Sequence, residues 1–420
     1  MILNQKFILI AFFTLLSVSF AGCSGGGSDD LVVTPGDKEV LLRLVVSVAN
    51  RPDSRADQPD YFEKPEGDFE NIQSLRVILI KDATQNGNGV VEANKLVKTY
   101  ASGQPAGDIL EFKVKTGSKR VYLIANEASL PVPANQSSDI TKSTAFLDNY
   151  VVGSDFNSSL FHNWIVSLPG GNPSATQSLY TNVQGATGLP LTEFFDFNVG
   201  AELADTEYDE TQTVHLFLTR AAAKATFKVE IADDYKGTGV NITGIRLNGL
   251  NWQQWVFPRD AQYFPAKQVV INPGLPSEHP VQPTPERYIT DFKATDRVNG
   301  VTGANITMNL PEQIAISAGN KKENIGPIYF PESIIPATLA ENPDAAFSVQ
   351  VQLDGRDEWL TARQLGLGDN NIQLINGAQA ISRNTHLKVT ITFADLNNIS
   401  CTVQVVPYVG VPLNPGFGFN

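Results

Sequence analysis

The sequence is poor in the side chains that do most enzyme chemistry. Its 420 residues hold two cysteines, Cys23 and Cys401, and four histidines, His162, His215, His279 and His386, far apart along the chain. Two cysteines exclude a disulfide-stapled scaffold and leave little room for a thiolate metal site. Basic charge is scarce as well. Lys+Arg number 31 against 44 Asp+Glu, a net charge of −13, and the pI is near 4.8. A nucleic-acid partner needs a basic surface and is not expected here. No GxSxG, HExxH, P-loop or paired CxxC occurs, so the reading is of a non-enzyme with no catalytic residue, no metal and no cofactor. What is present is apolar and turn-forming. The chain is 42% hydrophobic and only 18% charged, with 33 glycines and 25 prolines. That is enough for real cores and favours turn-rich β structure over helices. At roughly 150 residues per domain, the length suggests two domains or three.

The first residues carry an address. Lys6 supplies a short positive region, and residues 7–20 form an apolar stretch shorter than the ~20 residues of a membrane helix. Ala21, Gly22 and Cys23 follow, which resembles a bacterial lipoprotein signal with Phe20 in the place of the usual leucine. On that reading residues 1–22 are removed, Cys23 is acylated, and residues 23–35 are a flexible tether to the outer membrane. The alternative is an ordinary signal peptide cut nearby. Cys401 is then left alone, and a buried thiol is expected.

The rest reads as strands. Val40, Leu42, Leu44, Val46 and Val48 alternate with Arg43 and Ser47, a period of two. Residues 50–60 hold two prolines, Arg51 and Arg55 and no apolar period, which is an exposed loop. Residues 75–80 are apolar on both faces, as in a strand covered on both sides. Residues 110–115, a Gly117-Ser118 turn and residues 120–126 read as a hairpin. A short helix is expected near 141–151. Alternation returns at 214–218 and at 223–231, where Lys224, Thr226, Lys228 and Glu230 form the polar face. Later strands fall at 347–353, 387–393 and 401–405. The expected architecture is mainly all-β, two tandem sandwich domains at 36–212 and 213–420 with minor helix, and the hand-over lies near 219–222.

Several segments form an ordered set along the chain. They are the lipoprotein signal, the loop ending Ser54-Arg55-Ala56, the Ser74-Leu75-Arg76-Val77 strand, and Lys119-Arg120-Val121-Tyr122-Leu123-Ile124-Ala125-Asn126. Thr219-Arg220-Ala221-Ala222-Ala223-Lys224-Ala225-Thr226-Phe227 follows, then Phe330-Pro331-Glu332, Ile381-Ser382-Arg383-Asn384-Thr385 and Ser400-Cys401-Thr402-Val403. In this order the segments resemble the fimbrillin family of type V pilus subunits, and the resemblance implies two transthyretin-like domains with Greek-key sandwiches. It implies a lipoprotein precursor in the outer membrane and cutting by an arginine-specific protease between Arg55 and Ala56, with Arg51 the second choice because Pro52 follows it. The strand at 39–49 would then be removed, and a strand from another pilin subunit would fill the vacated place, giving surface fimbriae that support adhesion. Residues 1–55 hold five charges of each sign, so the −13 belongs to the remainder.

The tail fits the donor role. Val409, Val411, Leu413, Phe417 and Phe419 share odd positions within 407–420, and Pro407, Pro412 and Pro415 keep the segment from being a central strand of its own sheet. The alternative is a tail packed on its own domain. Trp252 and Trp255 are candidates for stacking on a sugar, or packing residues. Residues 354–358 read as an acidic turn. The other functional reading is an uncleaved surface lipoprotein, an anchor or tip adhesin, that binds glycan or protein.

Overall fold

A computed structural model describes residues 39–48, 70, 72–81, 88–98, 110–134, 136–169, 174–175, 178–180, 187–199, 213–235, 237, 239–258, 271–272, 304–316, 321–335, 347–365, 373–375, 378–381, 383–394 and 399–407. Strands dominate, as the period-two patterns predict. The first half holds β1 (Glu39–Val48), β2 (Ser74–Lys81), β3 (Gly89–Lys98), β4 (Leu110–Lys115), β5 (Gly117–Ala125), β6 (Asp155–Phe156), β7 (Ile165–Ser167), β8 (Ser174–Ala175), β9 (Leu191–Val199) and β10 (Thr213–Arg220). Two short helices, α1 (Ser143–Asp148) and α2 (Ser159–His162), lie between β5 and β7, and α1 falls where a helix is expected. The second half holds β11 (Ala223–Ile231), β12 (Val240–Leu250), β13 (Gln253–Trp255), β14 (Ile271–Asn272), β15 (Ala304–Ile316), β16 (Lys321–Phe330), β17 (Ser333–Ile335) and β18 (Phe347–Leu353). It ends with β19 (Trp359–Leu365), β20 (Gln373–Ile375), β21 (Ala378–Ile381), β22 (Thr385–Phe393) and β23 (Ile399–Pro407).

In the first half the strands form two faces that share β10, in the order β4-β1-β10-β9-β5-β2-β3-β6. The start of β10 pairs with β1, and only its last two residues, Thr219 and Arg220, pair with β9. The small sheet β4-β1-β10 therefore lies over the large sheet β9-β5-β2-β3. One core fills the space between them. Leu42, Leu44, Phe112, Val114, Leu216 and Leu218 come from above; Leu75, Val77, Leu79, Val121 and Leu123 come from below.

β2 is buried on both faces. Its other side, with Ile78 and Ile80, joins Tyr122 and Phe194 beneath a layer of Phe146, Phe156, Phe161 and Trp164 supplied by the segment around α1 and α2. Phe161 and Phe257 stack at 5.4 Å between ring centroids, and Phe146 meets Trp164 edge-on at 5.4 Å. Aromatic contacts of this kind add to plain area burial.

The expected hairpin at 110–126 is not one. Among the described residues β4 pairs only with β1, whereas β5 pairs with β2 and β9. The chain turns from the small sheet to the large one at Thr116 and Gly117, and Gly117 has φ 109, a conformation natural to glycine alone. Alternation identifies both strands but does not say which neighbour each will bond. The basic residues of β5 are not surface charges either: Lys119 Nζ lies 2.8 Å from Glu92, and Arg120 forks onto Asp196. Asn126 closes the strand in the left-handed region, φ 56. Its side chain accepts the Gln73 N–H at 2.8 Å and donates to the Leu189 carbonyl at 2.7 Å. Asparagine tolerates this conformation better than most residues.

The second half is a sandwich of β16-β11-β22-β23 against β19-β18-β12-β15. Phe227, Val229, Val389 and Ile391 pack toward Ile242, Ile245, Val349 and Val351. The sheet changes at Ala221-Ala222, so β10 belongs to the first sandwich and β11 to the second. Among the described residues three strand pairs cross between the halves: β7 with β13, β8 with β15 and β10 with β14. Pro35–Asn420 forms one compact unit.

Burial pushes the Tyr122 phenol up to about 12, against the opposing pull of the Arg120 guanidinium, and it raises Tyr150 and Tyr180 as well. An unfolded phenol ionises near 10. The folded state therefore holds these protons longer, and stability is full below pH ~10 and declines as pH climbs through ~12. Ultraviolet titration should find these phenols silent at pH ~10 and ionising as the fold opens. Their ionisation at that pH in a still-folded chain would contradict this packing.

Candidate functional site

β1 is the middle strand of the small sheet. Residues Glu39 to Leu44 pair antiparallel with β4, and residues Arg43 to Val48 pair parallel with β10. Its two edges are thus used in succession, overlapping at Arg43 and Leu44. Val40, Leu42, Leu44 and Val46 point into the core, with Leu44 fully buried. Four such side chains contribute roughly 6–12 kcal/mol of gross burial. The opposite face is exposed at Leu41, and Arg43 Nε donates to Glu111 Oε1 at 3.0 Å across the β4 pair. Without β1, the facing edges of β4 and β10 would lose their partners. Leu110, Phe112 and Val114 on one side and Val214, Leu216 and Leu218 on the other would line an open apolar slot.

Most other residues assigned from the sequence lie outside the described residues: Cys23, the cleavage loop with Arg51, Arg55 and Ala56, the acidic stretch 205–210, and Val409, Val411, Leu413, Phe417 and Phe419 of the tail. Two neighbours of these segments are described. Glu70, between the loop and β2, is buried. β23, which leads to the tail, ends at Pro407 and is the last strand of its sheet, paired with β22 along nine residues. Cys401 on β23 is buried, as expected. Trp252 and Trp255 are half-buried. Trp252 packs on the main core and Trp255 pairs within β13 opposite Ile165. Residues 354–355 form the turn after β18, where the Asp354 N–H donates to the Asn241 carbonyl at 2.9 Å. Among the described residues no group of three or more His, Cys, Asp or Glu is placed to hold a metal.

One cluster escapes the sequence reading. At the β10–β11 corner, Arg220, Lys224, Glu332 and Arg383 are all buried. Lys224, which the alternation assigns to a polar face, donates to Glu70 Oε1 at 2.9 Å, and Tyr329 Oη donates to the same oxygen at 2.7 Å. Arg383 reaches Glu332 Oε1 at 2.6 Å and the carbonyls of Trp255 and Val256 at 2.6 and 2.9 Å. Arg220 Nη1 donates to Asn384 Oδ1 at 3.2 Å, and the Asn384 N–H donates to the Ala222 carbonyl at 2.9 Å. The Ala221 carbonyl accepts from Tyr180 Oη at 3.0 Å and from Gln254 Nε2. Lys224 and Glu70 stand 154 residues apart, so no local pattern could pair them. The available signal is that the segments 219–227, 330–332 and 381–385 each carry a charge beside apolar residues; in space they converge.

No family model and no curated protein matches the sequence. Among solved structures, the tip fimbrial protein Mfa3 of Porphyromonas gingivalis matches at 14% identity and TM-score 0.43, covering 87% of this chain and 99% of that one. The similarity is to fimbrial proteins. A fimbrilin of the same organism matches at 14% identity and TM-score 0.38 over 88% and 98% of the two chains. A fimbrial assembly protein of Parabacteroides distasonis matches at 11% and 0.38 over 87% and 95%. All three TM-scores lie below 0.5, so the architecture above stands on this chain's own strand pairing.

Two substitutions separate the faces of β1. Leu44→Ala should destabilise the protein by ~2–5 kcal/mol in urea unfolding, because its neighbours cannot close the void. Leu41→Ala, on the exposed face, should stay within ~0.5 kcal/mol. Equal effects would mean that β1 does not seat its even residues in the core.

Proposed function

We propose that this chain is a subunit of type V surface fimbriae, exported as an outer-membrane lipoprotein on Cys23 and assembled by strand exchange into fibres that support adhesion. An arginine-specific protease cuts between Arg55 and Ala56, β1 leaves, and the tail of another subunit enters the slot between β4 and β10.

The observation that carries this reading is the seat of β1. It is a middle strand, so its loss leaves two edges that need hydrogen bonds and a core that needs covering, and both needs are met by one incoming strand. It is also the first of the described strands, so a cut in the loop that follows it separates it from the rest of the sandwich. While the chain is intact, the connection to β2 keeps β1 at a high effective concentration beside its slot, and any peeling is reversed. After the cut that tether is gone. An open edge is normally an aggregation hazard; the uncut strand keeps it covered until assembly. The apolar residues of the tail, Val409, Val411, Leu413, Phe417 and Phe419, repeat the alternation of Val40, Leu42, Leu44 and Val46.

The N-terminus of protein stripped from the cell surface tests the cut. Ala56 is expected; an intact acylated Cys23 would sink the cleavage step and favour an anchored lipoprotein. For the tail, trypsin treatment of the purified protein should yield SDS-resistant ladders. Deleting residues 408–420 should abolish them and leave the urea midpoint unchanged. Ladders that persist would remove the tail from the donor role.

A further inference from the structure

β10 and β11 run on from one another through Ala221 and Ala222. Upstream of the corner, β10 forms one wall of the β1 slot. Downstream, β11 pairs in parallel with β22 from Lys224 to Ile231, and β22 pairs with β23, which leads to the tail. One connected path of main chain and strand pairing thus links the slot to the tail-bearing sheet. Two sandwiches joined by a short connection move relative to one another by default unless a large, apolar interface holds them.

The surroundings of this corner are unlike a hinge. Both carbonyls, those of Ala221 and Ala222, accept hydrogen bonds, and the Ala221 N–H donates to the Pro190 carbonyl at 2.9 Å. The charged groups around it come from five separate segments: Glu70 from the β1–β2 connection, Arg220 from β10, Lys224 from β11, Glu332 after β16, and Arg383 before β22. All are at most 2% exposed. Buried ion pairs add little net stability compared with well-packed apolar residues, but they demand one geometry, and opening them strands charge away from water. Their value here is in fixing the corner.

We propose that this buried network locks the slot-bearing and tail-bearing sandwiches into one cooperative unit at the β10–β11 corner. Under the fibre reading above, on which this consequence rests, a pull that enters at a filled slot reaches the next subunit's donor strand without bending the subunit between them.

Calorimetry of the purified full-length protein tests the lock. The unaltered protein should unfold in one transition, with calorimetric and van't Hoff enthalpies equal. The double variant Arg383→Met/Glu332→Leu keeps volume and removes both charges, and it should unfold in two transitions. Two transitions in the unaltered protein, or one in the folded variant, would overturn the lock. Should the variant not fold, hydrogen exchange on the unaltered protein decides. The amides of Ala221 and Asn384 should exchange within about tenfold of the slowest amides of β2 and β22, because only global opening frees them. Exchange about a hundredfold faster means the corner opens by itself and the proposal fails. Neither readout needs polymer. Surface protein that keeps an intact acylated Cys23 would overturn the fibre reading and leave the lock standing; two transitions in the unaltered protein would do the reverse.

Discussion

A strand in the middle of a sheet must have its backbone hydrogen bonds met on both edges, and the first sandwich is organised around that requirement at β1. Among the described residues β4 is an edge strand that pairs with β1 alone, and β10 meets β9 only through its last two residues. β1 is what makes β4 and β10 a sheet. It also supplies four of the side chains that close the core over β2 and β5. The stability of the first sandwich therefore depends on the first of its described strands.

The second sandwich differs. Its central strands, β11 and β22, come from the middle and the end of the sequence and pair in parallel. The two sandwiches meet through β10 and β11, through three crossing strand pairs, and through the buried charges at Ala221-Ala222. Apolar packing alone would permit some sliding between them. Charge-assisted hydrogen bonds with fixed partners do not, because a displaced Arg383 or Lys224 would leave both itself and its carboxylate buried and unmatched.

Much of the fold was legible in the sequence. Residues 75–80 are apolar on both faces because β2 has the β1 core on one side and the aromatic layer on the other. The alternation at 39–48 marks both a strand and its buried face, and the alternation at 223–231 marks the inward face of β11. The failures share one cause. Residues 110–126 read as a hairpin because adjacent strands usually pair; Gly117 instead carries the chain across to the facing sheet. Lys224 reads as solvent-facing because Thr226, Lys228 and Glu230 follow on the same side. It is buried because Glu70 arrives there from the β1–β2 connection. Among candidate site residues, the β1 face was readable in advance, and the charged corner was not.

By itself the sequence determined which segments are strands and which face of each is apolar. The same reading covers the acidic balance and the scarcity of cysteine and histidine. These are local properties: side-chain period and composition need no knowledge of neighbours. Only the tertiary structure decided that β1 is a middle strand, that β4 and β5 lie in opposite sheets, and that five buried charges surround one corner. Those outcomes depend on which strand edges are free to pair and on which distant groups arrive at the same place. Hydrogen bonding and desolvation act across space, so alternation along the chain cannot encode them.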